Sequence, residues 1–222
     1  MDKQISAHGQ TQLVEPPTLE ILYEDDWFAV INKPANCLSV PGRGPEKMDS
    51  ILHRAERLFG EAFAIHRLDE ATSGLILVAK THECQKRMYA HFREREVKKE
   101  YRALLRGHLK GDTGQVRKPL RCDWPNRPRQ IVCTDEWSKD SITFWEKIAY
   151  EGKATRVRLT PFTGRSHQLR VHMQSLGHGI IGDEFYDNQY NHEPRLLLHA
   201  YRLEFRHPFT QAWLAFVAPC PF

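Results

Sequence analysis

Apolar and polar residues alternate along much of this chain, which is the pattern of β-strands with one buried face. Residues 19–32 alternate on both sides of Glu24-Asp25-Asp26 and are therefore predicted to form a β-hairpin. The same period predicts further strands around Tyr101, over residues 142–148 and 155–160, and twice within residues 196–218, with a turn at His207-Pro208.

One short stretch is apolar without alternation. Leu75-Ile76-Leu77-Val78-Ala79 is too short for a typical helix and has no polar face, so it is predicted to be a buried strand. Thr72-Ser73-Gly74 directly before it predicts a tight turn. Arg67 and Asp69 precede this turn two positions apart, and on an extended backbone their side chains leave on the same side. An aspartate beside a turn most often caps a backbone N–H, and that interpretation stays open here.

Three segments have helical spacing instead. The first is predicted to begin with Asp49 as its N-cap and to end at Gly60, and the second is capped by Thr81 and runs to about Glu96. The third lies within residues 160–179. The apolar positions that define the three helices are Ile51, Leu52, Ala55, Leu58 and Phe59, then Cys84, Met88 and Phe92, then Leu169, Met173 and Leu176.

Strands outnumber helices and often follow one another, so the fold class is α+β with a mixed, largely antiparallel sheet flanked by helices. Residues 1–18 are polar, contain Pro16-Pro17 and are predicted to form a flexible tail. Residues 19–219 show neither a repeat nor a linker and are predicted to form one domain. Residues 110–129 are predicted to be a turn-rich basic section.

Composition restricts the class of protein. The 222 residues are 41% hydrophobic and 27% charged, as in a water-soluble globular protein, and no apolar stretch approaches a membrane span. The first residues lack the apolar core of a secretory signal, so a cytoplasmic location without a membrane partner is expected. Five cysteines without a CxxC pair argue against a disulfide framework or a thiolate zinc site. His167 and His172, five positions apart, do not share a face, so no metal pair is expected there.

The net charge is only +4, but positive charge is concentrated in two stretches. Residues 86–102 hold seven Lys and Arg against three Glu, and residues 117–129 hold five Lys and Arg against one Asp, so each stretch carries a local charge of +4. Such patches fit a polyanion-binding surface, and an ordinary solvated surface explains them equally well.

The polar stretch TGRSHQLRVH at residues 163–172 is predicted to start a helix that carries basic groups. Arg165, His167, Arg170 and His172 lie within eight residues, which core packing explains poorly. A solvated helix face remains an alternative explanation.

The stretch around Asp69 and the stretch at residues 163–172 both contribute to a resemblance to a known protein family. HRLDEATSGLILVAK, KKEYRA, TGRSHQLRVH and a late LLLHA follow one another as in the RluA class of pseudouridine synthases, over nearly the whole chain from Leu19 to Ala218. The resemblance implies the pseudouridine synthase fold, with a catalytic cleft across the sheet, and an isomerase that needs no metal or organic cofactor. Many relatives carry an N-terminal S4-type RNA-binding module, and the 18 residues before the predicted hairpin are too few for one, so a catalytic domain without that module is expected.

The class implies roles for particular residues. Asp69 matches the catalytic aspartate, Arg170 the basic residue that pairs with it, and Tyr101 the active-site tyrosine that stacks on the base and removes the C5 proton. A guanidinium nearby favours the ionised carboxylate that a nucleophile needs. Arg67 matches the arginine that fills the space left by the flipped uridine, and His66 is expected to be a packing or hydrogen-bonding neighbour.

Leu198 matches a wall of the uracil pocket. Without the resemblance, Tyr101 would be assigned to core packing, and a buried strand leucine explains Leu198 equally well.

The remaining expectations concern RNA. CDWPNRPRQ at residues 122–130 resembles the bacterial member of the class that modifies both 23S ribosomal RNA and transfer RNA, so stem-loops of either RNA, including the anticodon stem-loop, are the expected substrates. Arg165, His167, Arg127 and Arg129 are the expected RNA-binding side chains. We expect a monomer without an obligate protein partner.

The main alternative is an RNA-binding or RNA-folding protein with incidental or no isomerase activity. It predicts that the basic patches matter and that Asp69 does not. A two-carboxylate glycosidase lacks a second acid on the same face, because Glu70 points away from Asp69 on an extended strand. The sequence has no glycine-rich phosphate-binding motif, which argues against nucleotide-driven chemistry.

Overall fold

The structure is a computed structural model that describes residues 18–222, so the tail predicted for residues 1–18 lies outside the described residues except for Thr18. The strands are β1 Ile21–Glu24, β2 Phe28–Lys33, β3 Phe63–Ala64, β4 Ser73–Ala79, β5 Lys98–Arg106, β6 Thr113–Arg117, β7 Leu120–Cys122, β8 Gln130–Val132, β9 Ile142–Glu151, β10 Ala154–Pro161, β11 Leu198–Arg206 and β12 Trp213–Val217. The helices are α1 Ile51–Phe59, α2 His82–Arg93 and α3 Gln168–Gln174.

The strands form one large mixed sheet and one small hairpin. The large sheet has ten strands in the order β1-β2-β4-β11-β5-β10-β9-β6, with β3 also paired to β4 and β12 to β11, while β7 and β8 pair separately. Among these described strands every pair is antiparallel except β4 with β11, which run parallel. The prediction of an α+β fold with a largely antiparallel sheet is confirmed.

Strand β4 is buried along its whole length because helices cover both of its faces. Leu75 and Leu77 pack in a cluster with Met88 of α2, whereas Ile76 and Val78 pack with α1. Its uninterrupted apolar sequence follows from this burial, since neither face meets water.

Gly74 lies where β4 runs beside β11. Its backbone has a φ of +107°, and a Cβ added there would lie 2.6 Å from the backbone nitrogen of Ala200 and closer still to its oxygen. Only glycine combines that φ with so close an approach of two backbones. This contact fixes the start of β4, shortly after Asp69 in the chain.

We expect Gly74→Ala to lower the free energy of unfolding by roughly 2–5 kcal/mol, since left-handed strain and backbone overlap add. Gly60→Ala is the matched control, because Gly60 also has a positive φ of +84° but a Cβ there would have nothing within 4 Å. It should cost only about 1–2 kcal/mol. Urea denaturation measures both, and equal losses would show that the contact with Ala200 is unimportant.

Local details differ from the sequence-based predictions. Ser50, not Asp49, caps α1, because its hydroxyl accepts the His53 N–H while Asp49 pairs with Arg54. Helix α2 ends at Arg93, before the predicted end at about Glu96. Ser73 and Gly74 already belong to β4, so the tight turn before it covers residues 69–72.

Two longer segments also differ from the predictions. The basic section of residues 110–129 is not all turns, since it contains β6 and β7. Helix α3 begins only at Gln168, so Arg165 and His167 precede it rather than forming its first turn. No helix in residues 18–222 is both long and apolar enough to cross a membrane.

Candidate active site

A cleft of about 750 Å³ opens where the turn before β4, strand β5 and the segment leading into α3 come together. This volume is in the range of small-ligand sites. Most of the site residues suggested by the sequence line it: Arg67, Asp69, Tyr101, Arg127, Arg165, His167, Arg170 and Leu198. The remaining one, Arg129, is placed beside the Tyr186 ring, with its guanidinium carbon 5.6 Å from the ring centroid.

Asp69 and Arg170 meet at the floor of this cleft although 101 positions separate them in the chain. Arg170 donates from Nη1 to Asp69 Oδ2 over 3.3 Å. Among the described residues, the Asp69 carboxylate receives no hydrogen bond from a neighbouring backbone N–H, so the capping interpretation is wrong. Asp69 keeps 26% of its side chain exposed and Arg170 only 3%, so the carboxylate is the partner that a substrate can reach.

Asp183 holds Arg170 in place from the other side. Its two carboxylate oxygens accept from Arg170 Nε at 2.7 Å and Nη2 at 2.8 Å, which leaves Nη1 to face Asp69. Burial alone would lower the pKa of Arg170, but the hydrogen bonds and charge of Asp183 outweigh it and raise that pKa. Arg170 is therefore a permanent, rigidly oriented cation.

His167 faces the second oxygen of Asp69, with 4.0 Å between Nε2 and Oδ1. The Tyr186 hydroxyl accepts the Gln130 N–H at 2.7 Å, which leaves its own proton for His167 Nδ1 at 2.8 Å. We therefore assign the imidazole proton to Nε2, on the Asp69 side. Burial lowers the pKa of His167 against the opposing charge of Asp69, so the ring is neutral at neutral pH.

Tyr101 of β5 also lines the cleft. Burial, and then the charge of Asp69, raise the pKa of its hydroxyl, so the side chain is an un-ionised phenol. Leu198 of β11 is both a core residue and part of the cleft wall, so the two explanations left open for it describe the same position.

His66 and Arg67 are neighbours with different surroundings. His66 Nε2 accepts the Leu77 N–H at 3.0 Å and the ring stacks on Phe92, which confirms the expected hydrogen-bonding role. Burial and the charge of Lys99 lower the pKa of His66. Arg67 is exposed at the edge of the cleft.

Sequence reasoning missed several residues that build the site. Gln168 joins the segment before α3 to β9, since it accepts from Thr163 and Arg165 and donates to Ile142 and Thr143. Asp183, Tyr186 and Lys99 were missed as well. Only Lys99 had a signal, because it lies two positions from Tyr101 and therefore on the same face of β5.

Comparison with known proteins agrees with this geometry. Residues 27–175 match the family model described as RNA pseudouridylate synthase. The chain belongs to the RNA pseudouridylate synthase family. The resemblance inferred from the motifs is therefore confirmed, and the protein is an RNA-modifying isomerase rather than only an RNA-binding protein.

Individual members of the family match over almost their full length. The dual-specificity RNA pseudouridine synthase RluA of Pasteurella multocida is 51% identical over 213 residues, which cover 93% of this chain and 97% of that protein. RluA of Escherichia coli K12 is 49% identical over 211 residues, covering 94% and 96%. The structure of human RNA pseudouridylate synthase domain containing 1 superposes with a TM-score of 0.77 at 29% identity, covering 94% of this chain and 87% of that one.

Proposed function

We propose that this pseudouridine synthase modifies uridines in stem-loops of both 23S ribosomal RNA and transfer RNA, the anticodon stem-loop included. Support comes from the relatives named as dual-specificity enzymes and from the motif at residues 122–130. The observation that carries the proposal is the cleft in which Asp69 meets Arg170 beside Tyr101. We further propose that residues 19–219 form the catalytic domain and that the protein acts in the cytoplasm as a monomer without a metal or organic cofactor.

The reaction exchanges one bond for another. The bond from N1 of uracil to C1′ of the ribose breaks, C5 joins C1′ in its place, the C5 proton is lost and N1 gains a proton. Asp69 is the nucleophile that separates the base from the sugar. Arg170, fixed by Asp183, keeps the carboxylate ionised and aimed into the cleft.

The target uridine must leave its stack to reach Asp69. Flipping costs a few kcal/mol, least in a loop, which favours stem-loop substrates. Arg67, exposed at the edge of the cleft, fills the space that the base leaves. Leu198 and the Tyr101 ring enclose the flipped uracil, and base–aromatic stacking contributes about 1–3 kcal/mol.

Arginine side chains, together with the neutral imidazole of His167, hold the RNA backbone around the cleft. Arg165 and His167 lie on the segment before α3, and Arg127 lies on the hairpin segment between β7 and β8. Arg129, beside Tyr186, extends this surface.

Release of tritium from RNA that carries [5-³H]uridine tests the proposed reaction, because C5 loses its hydrogen only if it becomes the glycosidic carbon. We expect the wild-type protein to release tritium from an anticodon stem-loop and from a 23S ribosomal RNA hairpin. Tight binding to both RNAs without release would support the RNA-binding alternative. Release from one RNA alone would contradict dual specificity.

Tyr101→Phe separates stacking from proton transfer. Because the Tyr101 phenol is un-ionised, it can accept the C5 proton only while it passes its own proton on. We expect the phenylalanine variant to bind RNA as wild type does but to release tritium roughly 10²–10⁴-fold more slowly, the usual contribution of a general base. An unchanged release rate would restrict Tyr101 to stacking.

A further inference from the structure

Lys99 is a cation in the cleft that no acidic group of the described residues neutralises. It extends from β5 on the same face as Tyr101 and lines the cavity. Within residues 18–222, no carboxylate oxygen lies within 4 Å of its Nζ, and no hydrogen bond to it is formed. The centroid of the Phe92 ring is 5.9 Å from Nζ, and a Cβ added at Gly164 would lie 3.7 Å from Nζ.

The preceding residue in the chain shows what an ordinary lysine of this strand does. Lys98 points to the opposite face, is 71% exposed, and lies 3.8 Å from the Glu204 carboxylate. Arg102 on the same strand pairs with Glu100 at 2.7 Å. Lys99 therefore differs from these two cations in having neither full hydration nor a counterion among the described residues.

A partly buried cation without a counterion is energetically unfavourable in the RNA-free protein. Burial lowers the pKa of Lys99, which means that the fold disfavours its charged form. The lysine is placed nonetheless where the cleft receives RNA. An anion from the ligand is the natural compensation, and the only anions that accompany a uridine are its backbone phosphates.

We propose that Lys99 binds a backbone phosphate next to the flipped uridine and so anchors the nucleotide whose base lies against Tyr101. The two residues are about 7 Å apart along the strand on one face, a spacing that one nucleotide can bridge with its phosphate and its base. This inference rests on the proposed function of the cleft.

Lys99→Met and Lys98→Met remove the same charge from opposite faces of β5. Binding is measured by fluorescence anisotropy in the Asp69→Asn background, so that the RNA stays unmodified. We expect Lys99→Met to weaken stem-loop binding roughly 10-fold or more, as for loss of a charge-assisted hydrogen bond. The slope of log Kd against log salt should decrease by about 0.7, the value for one phosphate contact on a single strand. Lys98→Met should change neither quantity.

A methylphosphonate, which removes the charge of one phosphate, locates the contact. It is placed on the 5′ or the 3′ side of the uridine that the wild type modifies, with a matched 2′-O-methyl phosphodiester as control for each RNA. With Lys99 present, one of the two substitutions should weaken binding about 10-fold. In the Lys99→Met protein the same substitution should have no further effect.

Three results would overturn the inference. The first is an equal effect of Lys98→Met and Lys99→Met. The second is that the losses from Lys99→Met and from the methylphosphonate add. The third is that neither methylphosphonate weakens binding while Lys99→Met does, which would indicate a uracil carbonyl as the partner.

Two controls accompany these measurements. Melting temperatures report folding, and Lys99→Met should unfold no lower than wild type because the lysine has no partner to lose within residues 18–222. Failure of the wild type to release tritium would instead refute the proposed function itself.

Discussion

The Asp69→Asn variant is expected to form pseudouridine at least roughly 10⁴-fold more slowly than wild type under single-turnover conditions, in the range measured when a catalytic group of this kind is removed. The asparagine amide keeps the shape of the side chain and can still accept from Arg170 Nη1, so the site should remain assembled. It cannot act as a nucleophile. RNA affinity should stay within about threefold, because Asp69 does not bind the phosphate backbone.

Glu70→Gln is the matched control for this experiment. Glu70 is the adjacent carboxylate, is exposed, and makes its contacts to Lys33 and Cys37 through its backbone oxygen. Its removal should leave the single-turnover rate within about threefold of wild type. If Asp69→Asn retains a rate within about tenfold of wild type, the nucleophile is another group.

Arg170→Met is expected to affect stability as well as activity. The Asp183 side chain is fully buried, and without Arg170 it becomes an uncompensated charge. Breaking a buried pair in this way costs about 3–5 kcal/mol, which urea denaturation would show as a lower midpoint. Product formation should fall with it, because Asp69 loses its cationic partner.

The double variant Arg170→Met/Asp183→Asn separates the two effects. The asparagine introduced by Asp183→Asn is neutral but keeps an oxygen that can accept the Phe185 and Tyr186 N–H groups, so most of the lost stability should return. Activity should remain lost, because no guanidinium from position 170 faces Asp69. Recovery of activity together with stability would show that Arg170 serves only the fold.

The sequence predicts those features whose cause is local. The buried strand β4 follows from its apolar run, the end of α1 follows from Gly60, and the start of α2 follows from the Thr81 cap. Hairpin β1–β2 follows from alternation around an acidic turn. In each case neighbours in the chain are also neighbours in the structure.

Features that depend on distant partners could not be predicted in this way. Alternation does not specify which strand lies beside β4, so the parallel pair with β11 and the close contact at Gly74 have no local signal. Asp183 resembles an ordinary loop aspartate, and only its bidentate contact with Arg170 reveals its role. His167 adopts a left-handed φ of 51° and precedes α3, whereas periodicity wrongly places this residue in the first helical turn.

The resemblance, rather than the residues alone, predicts that Asp69 and Arg170 meet. Charge and spacing alone are explained adequately by a turn cap at Asp69 and by a solvated helix face at residues 163–172. Three-dimensional geometry resolves this choice, because Asp69 Oδ2 and Arg170 Nη1 lie 3.3 Å apart in one cleft.

The decisive measurement is a crystal structure of the Asp69→Asn protein bound to a stem-loop RNA that the wild type modifies. We expect one uridine to be out of the helical stack, with its ring between Tyr101 and Leu198 and its C1′ facing residue 69. A target uridine that remains stacked in the RNA, or that lies on a surface away from this cleft, would contradict the proposed site.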